Sequence, residues 1–139
     1  MIIGHPAAGK STAILQSGLT FPFSEKNGIQ GIGGTRNCDW FFSTEGVLLD
    51  TAGRYATQQE DRSEWLGFLK LLNKYRPKAP VNGILVSISL PELSQHNSEG
   101  FALYARQIKE RVLEICQTFR VQVPIYRILT KLDLLGGFT

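Results

Sequence analysis

The 139-residue chain is of a size for one domain built around one core. Its 42% hydrophobic and 10% aromatic content is that of a soluble globular protein and excludes disorder, while a formal charge of +3 is too slight to argue for nucleic acid. No apolar run approaches the roughly 18 to 20 residues that span a bilayer, and Lys10 arrives too early for a signal peptide.

Met1-Ile2-Ile3 reads as the end of a buried strand, and its shortness against the usual length of about five or six residues makes the chain look cut from something longer. Gly4-His5-Pro6-Ala7-Ala8-Gly9-Lys10-Ser11 then fits the phosphate-binding loop pattern GxxxxGK[ST] at every fixed position. A tight glycine-rich turn points backbone N–H groups at phosphate oxygens, and the helix that follows adds its positive end. Gly4, Ala7, Ala8, Gly9, Lys10, Ser11 and Thr12 are therefore candidate nucleotide-binding residues. Lys10 is expected to reach the β- and γ-phosphates, and Ser11 to supply a hydroxyl ligand to Mg²⁺. Many such loops carry glycine where Ala7 stands; if that position needs a positive φ, alanine costs about 1 kcal/mol.

Residues 11–17 continue as a helix with Gly18 as its C-terminal cap. The stretch 20–36, with four glycines and Pro22, reads as a long flexible loop. Thr35 within it suits a switch threonine joining Mg²⁺ and the γ-phosphate, and equally suits the start of the next strand. Short strands at 38–42 and 47–50, joined through 43–46, form an antiparallel hairpin. Asp50 ends the second strand where a Walker B carboxylate would hold Mg²⁺. In Asp50-Thr51-Ala52-Gly53, Gly53 is the candidate γ-phosphate sensor, coupling nucleotide state to the segment 54–61. Ras-like GTPases carry a water-orienting glutamine next, and here that place is Arg54, which can stabilise charge but offers no carbonyl acceptor to water. Hydrolysis is accordingly expected to be slow.

Asp61 and Glu64 fit a capping box opening a helix whose apolar stripe is Trp65, Phe68, Leu69, Leu72 and Tyr75, ended by Pro77 and Pro80. Lys70, Lys74, Arg76 and Lys78 read as its solvated end. A buried strand at 83–89 leads to a polar loop at 91–100, then to a helix with the stripe Phe101, Ala105, Ile108, Val112, Ile115 and Phe119. A last strand over 121–129 ends at Thr130-Lys131-Leu132-Asp133, which resembles the guanine-reading pattern [NT]KxD. The Asp133 carboxylate can accept from guanine's N1–H and exocyclic amine, while Lys131 lays its stem along the base. Cys38 and Cys116 lack disulfide or zinc spacing, His5 and His96 lack catalytic partners, and Trp40 and Trp65 read as core or interface anchors.

The order β-α-β-β-α-β-α-β points to a mostly parallel three-layer α/β domain of the P-loop NTPase, Ras-like GTPase type, with one antiparallel hairpin, filling 1–139 and truncated at both ends. The turns at Gly4, Asp50 and Thr130 each follow a strand, so all three fall on the ligand-binding edge of the sheet.

The wording is more specific still. Residues 34–40 (Gly-Thr-Arg-Asn-Cys-Asp-Trp), 48–55 (Leu-Leu-Asp-Thr-Ala-Gly-Arg-Tyr), 65–69, 74–77, 82–86 and 130–138 together resemble the IcmF/TssM family of inner-membrane components of bacterial type VI secretion and the related type IVB apparatus. The resemblance covers essentially the whole chain. It implies a P-loop domain at the cytoplasmic face of the inner membrane, contacting an IcmH/DotU-type (TssL) partner and cytoplasmic baseplate components, with the membrane reached through segments absent here. It also makes Arg54 a family trait, while Ala7 departs from the usual glycine. Three readings stand: a module binding GTP or ATP with Mg²⁺ and hydrolysing slowly, a docking platform for which nucleotide is dispensable, and a free-standing regulatory GTPase, which fits the motifs but not the family wording.

Overall fold

A computed structural model describes residues 1–22 and 38–137. Five strands, β1 (Ile2–Gly4), β2 (Cys38–Phe42), β3 (Val47–Thr51), β4 (Ile84–Ser89) and β5 (Ile125–Thr130), form one sheet in the order β2-β3-β1-β4-β5. β1 runs parallel to β3 and β4, β4 runs parallel to β5, and β2 and β3 pair antiparallel. The helices are α1 (Lys10–Leu15), α2 (Arg54–Thr57), α3 (Arg62–Tyr75), α4 (Leu90–Gln95) and α5 (Ser98–Phe119). The fold is α/β with a mixed, mostly parallel sheet, as its pattern predicts.

The hairpin forms because Ser43 closes it twice. Its N–H donates to the Gly46 carbonyl at 2.9 Å, and its hydroxyl oxygen accepts from the Gly46 N–H at 3.0 Å. Successive residues of β1 serve opposite faces of the sheet. Ile3 joins Trp65, Leu69, Ile84 and Ile115 in the larger core beneath α3 and α5, and Ile2 joins Ile14, Phe21 and Phe41 on the α1 side. Trp65 is fully buried, so its truncation to alanine costs about 3–5 kcal/mol.

Several local expectations change. Asp61 precedes α3 but makes no capping bond, because Asp61 and Glu64 both turn to Arg54 instead of the helix N–H groups. The segment after Gly53 is not a plain turn: it folds into α2 and a 3₁₀ turn, Gln59–Asp61. The polar loop at 91–100 contains α4, started by Pro91 in its first turn, and α5 begins only at Ser98, where Asn97 Oδ1 accepts from the Gly100 N–H at 2.8 Å. Phe101 consequently sits at the opening of α5 and is 52% exposed, outside the buried stripe. β5 starts at Ile125, after Pro124, which has no N–H to give the ladder. Thr35 and the loop expected around it, beyond residue 22, lie outside the described residues. Cys38 and Cys116 are free and half-buried, and burial pushes the Cys38 thiol up to about 12.

Candidate functional site

Parallel register brings the three turns together. Gly4 pairs with Ser87 of β4, and Ile2 pairs with Asp50 of β3, so the loop after β1 lies between the ends of both neighbours. A hollow of about 450 Å³ opens there, lined by residues 6–12 with Gly53 and Lys131. A second of about 440 Å³ adjoins it, sharing Gly9, Thr12 and Lys131 and reaching Thr130 and Asp133. Of the sequence-predicted residues, Ala7, Ala8, Gly9, Lys10, Ser11, Thr12, Gly53, Thr130, Lys131 and Asp133 thus border this cleft of two adjoining hollows, whereas Gly4 and Asp50 line neither.

The loop's shape is set from behind. The Ser87 hydroxyl donates to the Ala8 carbonyl at 2.7 Å, and the Thr130 hydroxyl donates to the same oxygen at 2.8 Å. A Cβ on Gly4 would stand 2.7 Å from the Ser87 carbonyl, so only glycine fits that approach. Gly9 has φ 74 and Ala7 has φ 59, which meets the condition under which alanine at position 7 is strained. His5, buried next in the loop, stacks on Tyr104 with ring centroids 3.8 Å apart and lies 3.6 Å from Glu92; desolvation lowers its pKa.

Lys10 is buried, and its ammonium donates to the carbonyls of His5 at 3.3 Å and Gly4 at 3.5 Å. Desolvation lowers its pKa, with the charge on Asp50 opposing. Asp50 is fully buried at the end of β3, where its Oδ2 accepts from the Ser11 hydroxyl at 2.5 Å. Its Oδ1 has no hydrogen-bond partner among the described residues. Burial raises the Asp50 pKa, against the Ser11 bond and Lys10; Asp39, set directly opposite on β2 and also buried, raises it further. The Ser11 hydroxyl and the Asp50 carboxylate with its unpartnered oxygen are hard oxygen donors of the type Mg²⁺ takes, and among the described residues no cluster of three or more His, Cys, Asp or Glu side chains is placed to hold a metal.

Gly53 closes the cleft. A Cβ there would meet the Pro6 N and Cα at 2.5 Å, so the second turn packs directly on the loop. Arg54 does not border the cleft. It forms a two-point pair with Glu64 at 2.8 and 3.1 Å, a pair with Asp61 at 2.8 Å, and lies 4.5 Å from the Tyr55 ring centre. The Tyr55 carbonyl in turn accepts from Arg111 of α5 at 2.9 Å, and Arg111 pairs with Glu114 at 2.7 Å, whose other oxygen takes the Trp65 N–H at 2.8 Å. Ser87, Arg111 and Glu114 escape motif reading. Their signal is a polar residue inside an apolar strand and two charges three apart on an apolar helical stripe.

More than half of the chain, residues 58–139, matches the model of the IcmF-related N-terminal domain. The chain belongs to the IcmF-related family. It is 48% identical to the type VI secretion system component TssM1 of Pseudomonas aeruginosa (strain PAO1), over 99% of its own length and 13% of that protein. No solved structure matches. This family member thus spans about an eighth of its relative, and among its described residues no helix is long and apolar enough to cross a membrane.

Proposed function

We propose that this domain is the nucleoside-triphosphate-binding, slowly hydrolysing module of a type VI secretion inner-membrane component, facing the cytoplasm. The observation that carries the reading is that the glycine-rich loop lies between the Gly53 turn and the Thr130–Asp133 turn, around two adjoining hollows. In this P-loop reading the Lys10 ammonium exchanges two neutral carbonyls for β- and γ-phosphate oxygens, a charge-assisted and stronger set of bonds. Ser11 and Asp50, with Thr35 by its place in the chain, would hold Mg²⁺, which when bound offsets the charge of the phosphates. Gly53, packed on Pro6, feels the terminal phosphate through its backbone, while Lys131 and Asp133 take the base, GTP or ATP. The family resemblance supports docking on an IcmH/DotU-type (TssL) partner and baseplate components as part of this proposal. The alternative, a docking platform that dispenses with nucleotide, draws on the strained Ala7 and on the ties that keep Arg54 outside the cleft.

Competition between GTP and ATP, with and without Mg²⁺, tests the reading in wild type and Asp50→Asn. One nucleotide should bind well below millimolar concentration in a Mg²⁺-dependent way. Asp50→Asn, which keeps an acceptor for Ser11, should lose that dependence. Its folded carboxylate has a raised pKa, so ionisation at neutral pH opposes folding and the amide should leave stability equal or higher. Millimolar binding indifferent to Mg²⁺ favours the platform.

A further inference from the structure

Arg54 occupies the first residue of α2, one Cα–Cα step of about 3.8 Å beyond Gly53, which borders the cleft. The cleft is within one side-chain length, yet the guanidinium points to α3. Glu64 takes both terminal nitrogens, Asp61 takes one of them, and the Tyr55 ring lies under the guanidinium, with the Tyr55 hydroxyl donating to the same Glu64 oxygen at 2.9 Å. The backbone at this point is fixed independently, by Arg111 on the Tyr55 carbonyl and by the buried Tyr55 ring against Trp65. The backbone is thus held by contacts other than those of the Arg54 guanidinium, so rotation of that side chain leaves Gly53 and α2 in place. The two carboxylates keep 21% and 45% of their side-chain surface exposed, so water can take the place of the guanidinium on them.

We infer that Asp61 and Glu64 form a latch that stores Arg54 away from the phosphates, and that transfer of Arg54 from these carboxylates to the terminal phosphate limits turnover. The inference rests on the nucleotide-binding reading. In the hydrolytic step a water oxygen forms the new bond to the γ-phosphorus while the bond to the β–γ bridging oxygen breaks. The nucleoside diphosphate departs with that electron pair, and both protons of the water leave with the released phosphate as dihydrogen phosphate, which then equilibrates with solvent. Arg54, once transferred, stabilises the charge that gathers on the bridging and γ-oxygens.

The test compares wild type, Asp61→Asn/Glu64→Gln, and the same pair with Arg54→Ala in the full-length protein, reading nucleotide affinity, single-turnover hydrolysis and thermal midpoint. Freeing Arg54 should raise the rate about tenfold, with affinity changed less than twofold, and Arg54→Ala should remove the gain. A purely structural role for the two carboxylates would lower the midpoint without raising the rate. Nucleotide bound as in wild type but hydrolysed no faster overturns the latch. Absence of nucleotide binding in wild type overturns the nucleotide reading itself, and the latch with it.

Discussion

The two turns that frame the cleft are held by opposite means. The first, residues 4–10, is fixed through its backbone: Ser87 and Thr130 grip one carbonyl, and Gly4 fits only because it lacks a Cβ. The second, residues 53–61, has a fixed base, where Arg111 holds the Tyr55 carbonyl, and a charged rim, where Arg54 is shared by Asp61 and Glu64. Buried bonds to backbone admit one geometry, whereas exposed ion pairs contribute about 0–1 kcal/mol each and exchange readily. The loop is therefore a cradle, and the rim beside it is the part that can respond.

Breaking the base of the second turn should have the largest effect. Arg111→Met leaves Glu114 buried with a weaker set of partners and frees the Tyr55 carbonyl, so stability should fall by about 3 kcal/mol in denaturant unfolding. A loss under about 1 kcal/mol would move the anchor elsewhere. Gly53→Ala drives a methyl into the Pro6 backbone and should cost about 1–3 kcal/mol, with nucleotide affinity falling alongside. Ala7→Gly relieves a positive φ within the cradle and should raise stability or affinity by about 1 kcal/mol, severalfold in a titration; unchanged binding and stability would mean the strain is absorbed.

The smallest effect concerns acid. His5 is buried, with a pKa lowered chiefly by desolvation; Glu92 opposes that shift, and His96 and Lys10 add to it. Its contribution is fully present above the ordinary imidazole value of about 6.5 and is lost as pH falls below it, because the unfolded chain takes up the proton first. His5→Gln should flatten stability between about pH 6.5 and 5; an unaltered slope would assign the acid sensitivity to another group.

How much of this was legible in the sequence follows the same division. The loop, the Asp50 and Thr130 turns and their shared edge were readable because glycine spacing and strand ends impose them. Most of the larger core was readable in the stripes of α3 and α5, although Tyr75 at the end of α3 and Ala105 in α5 are exposed. Asp61 and Glu64 were misread as a capping box, since local spacing cannot show that a guanidinium seven to ten residues away outcompetes helix N–H groups. Phe101 was misplaced for a related reason: α4 and the Asn97 cap reset where α5 begins. Contacts such as Ser87 to Ala8 and Arg111 to Tyr55 span 79 and 56 residues, which no local pattern encodes.

The most direct test of the central claim is an equilibrium titration of Mg²⁺–GTP and Mg²⁺–ATP onto wild type and Lys10→Ala. A triphosphate cradled by this loop predicts tight binding of at least one nucleotide, weakened about a hundredfold by the substitution, equivalent to about 2.7 kcal/mol. Equal affinities for wild type and Lys10→Ala, or no binding of either nucleotide, would contradict it.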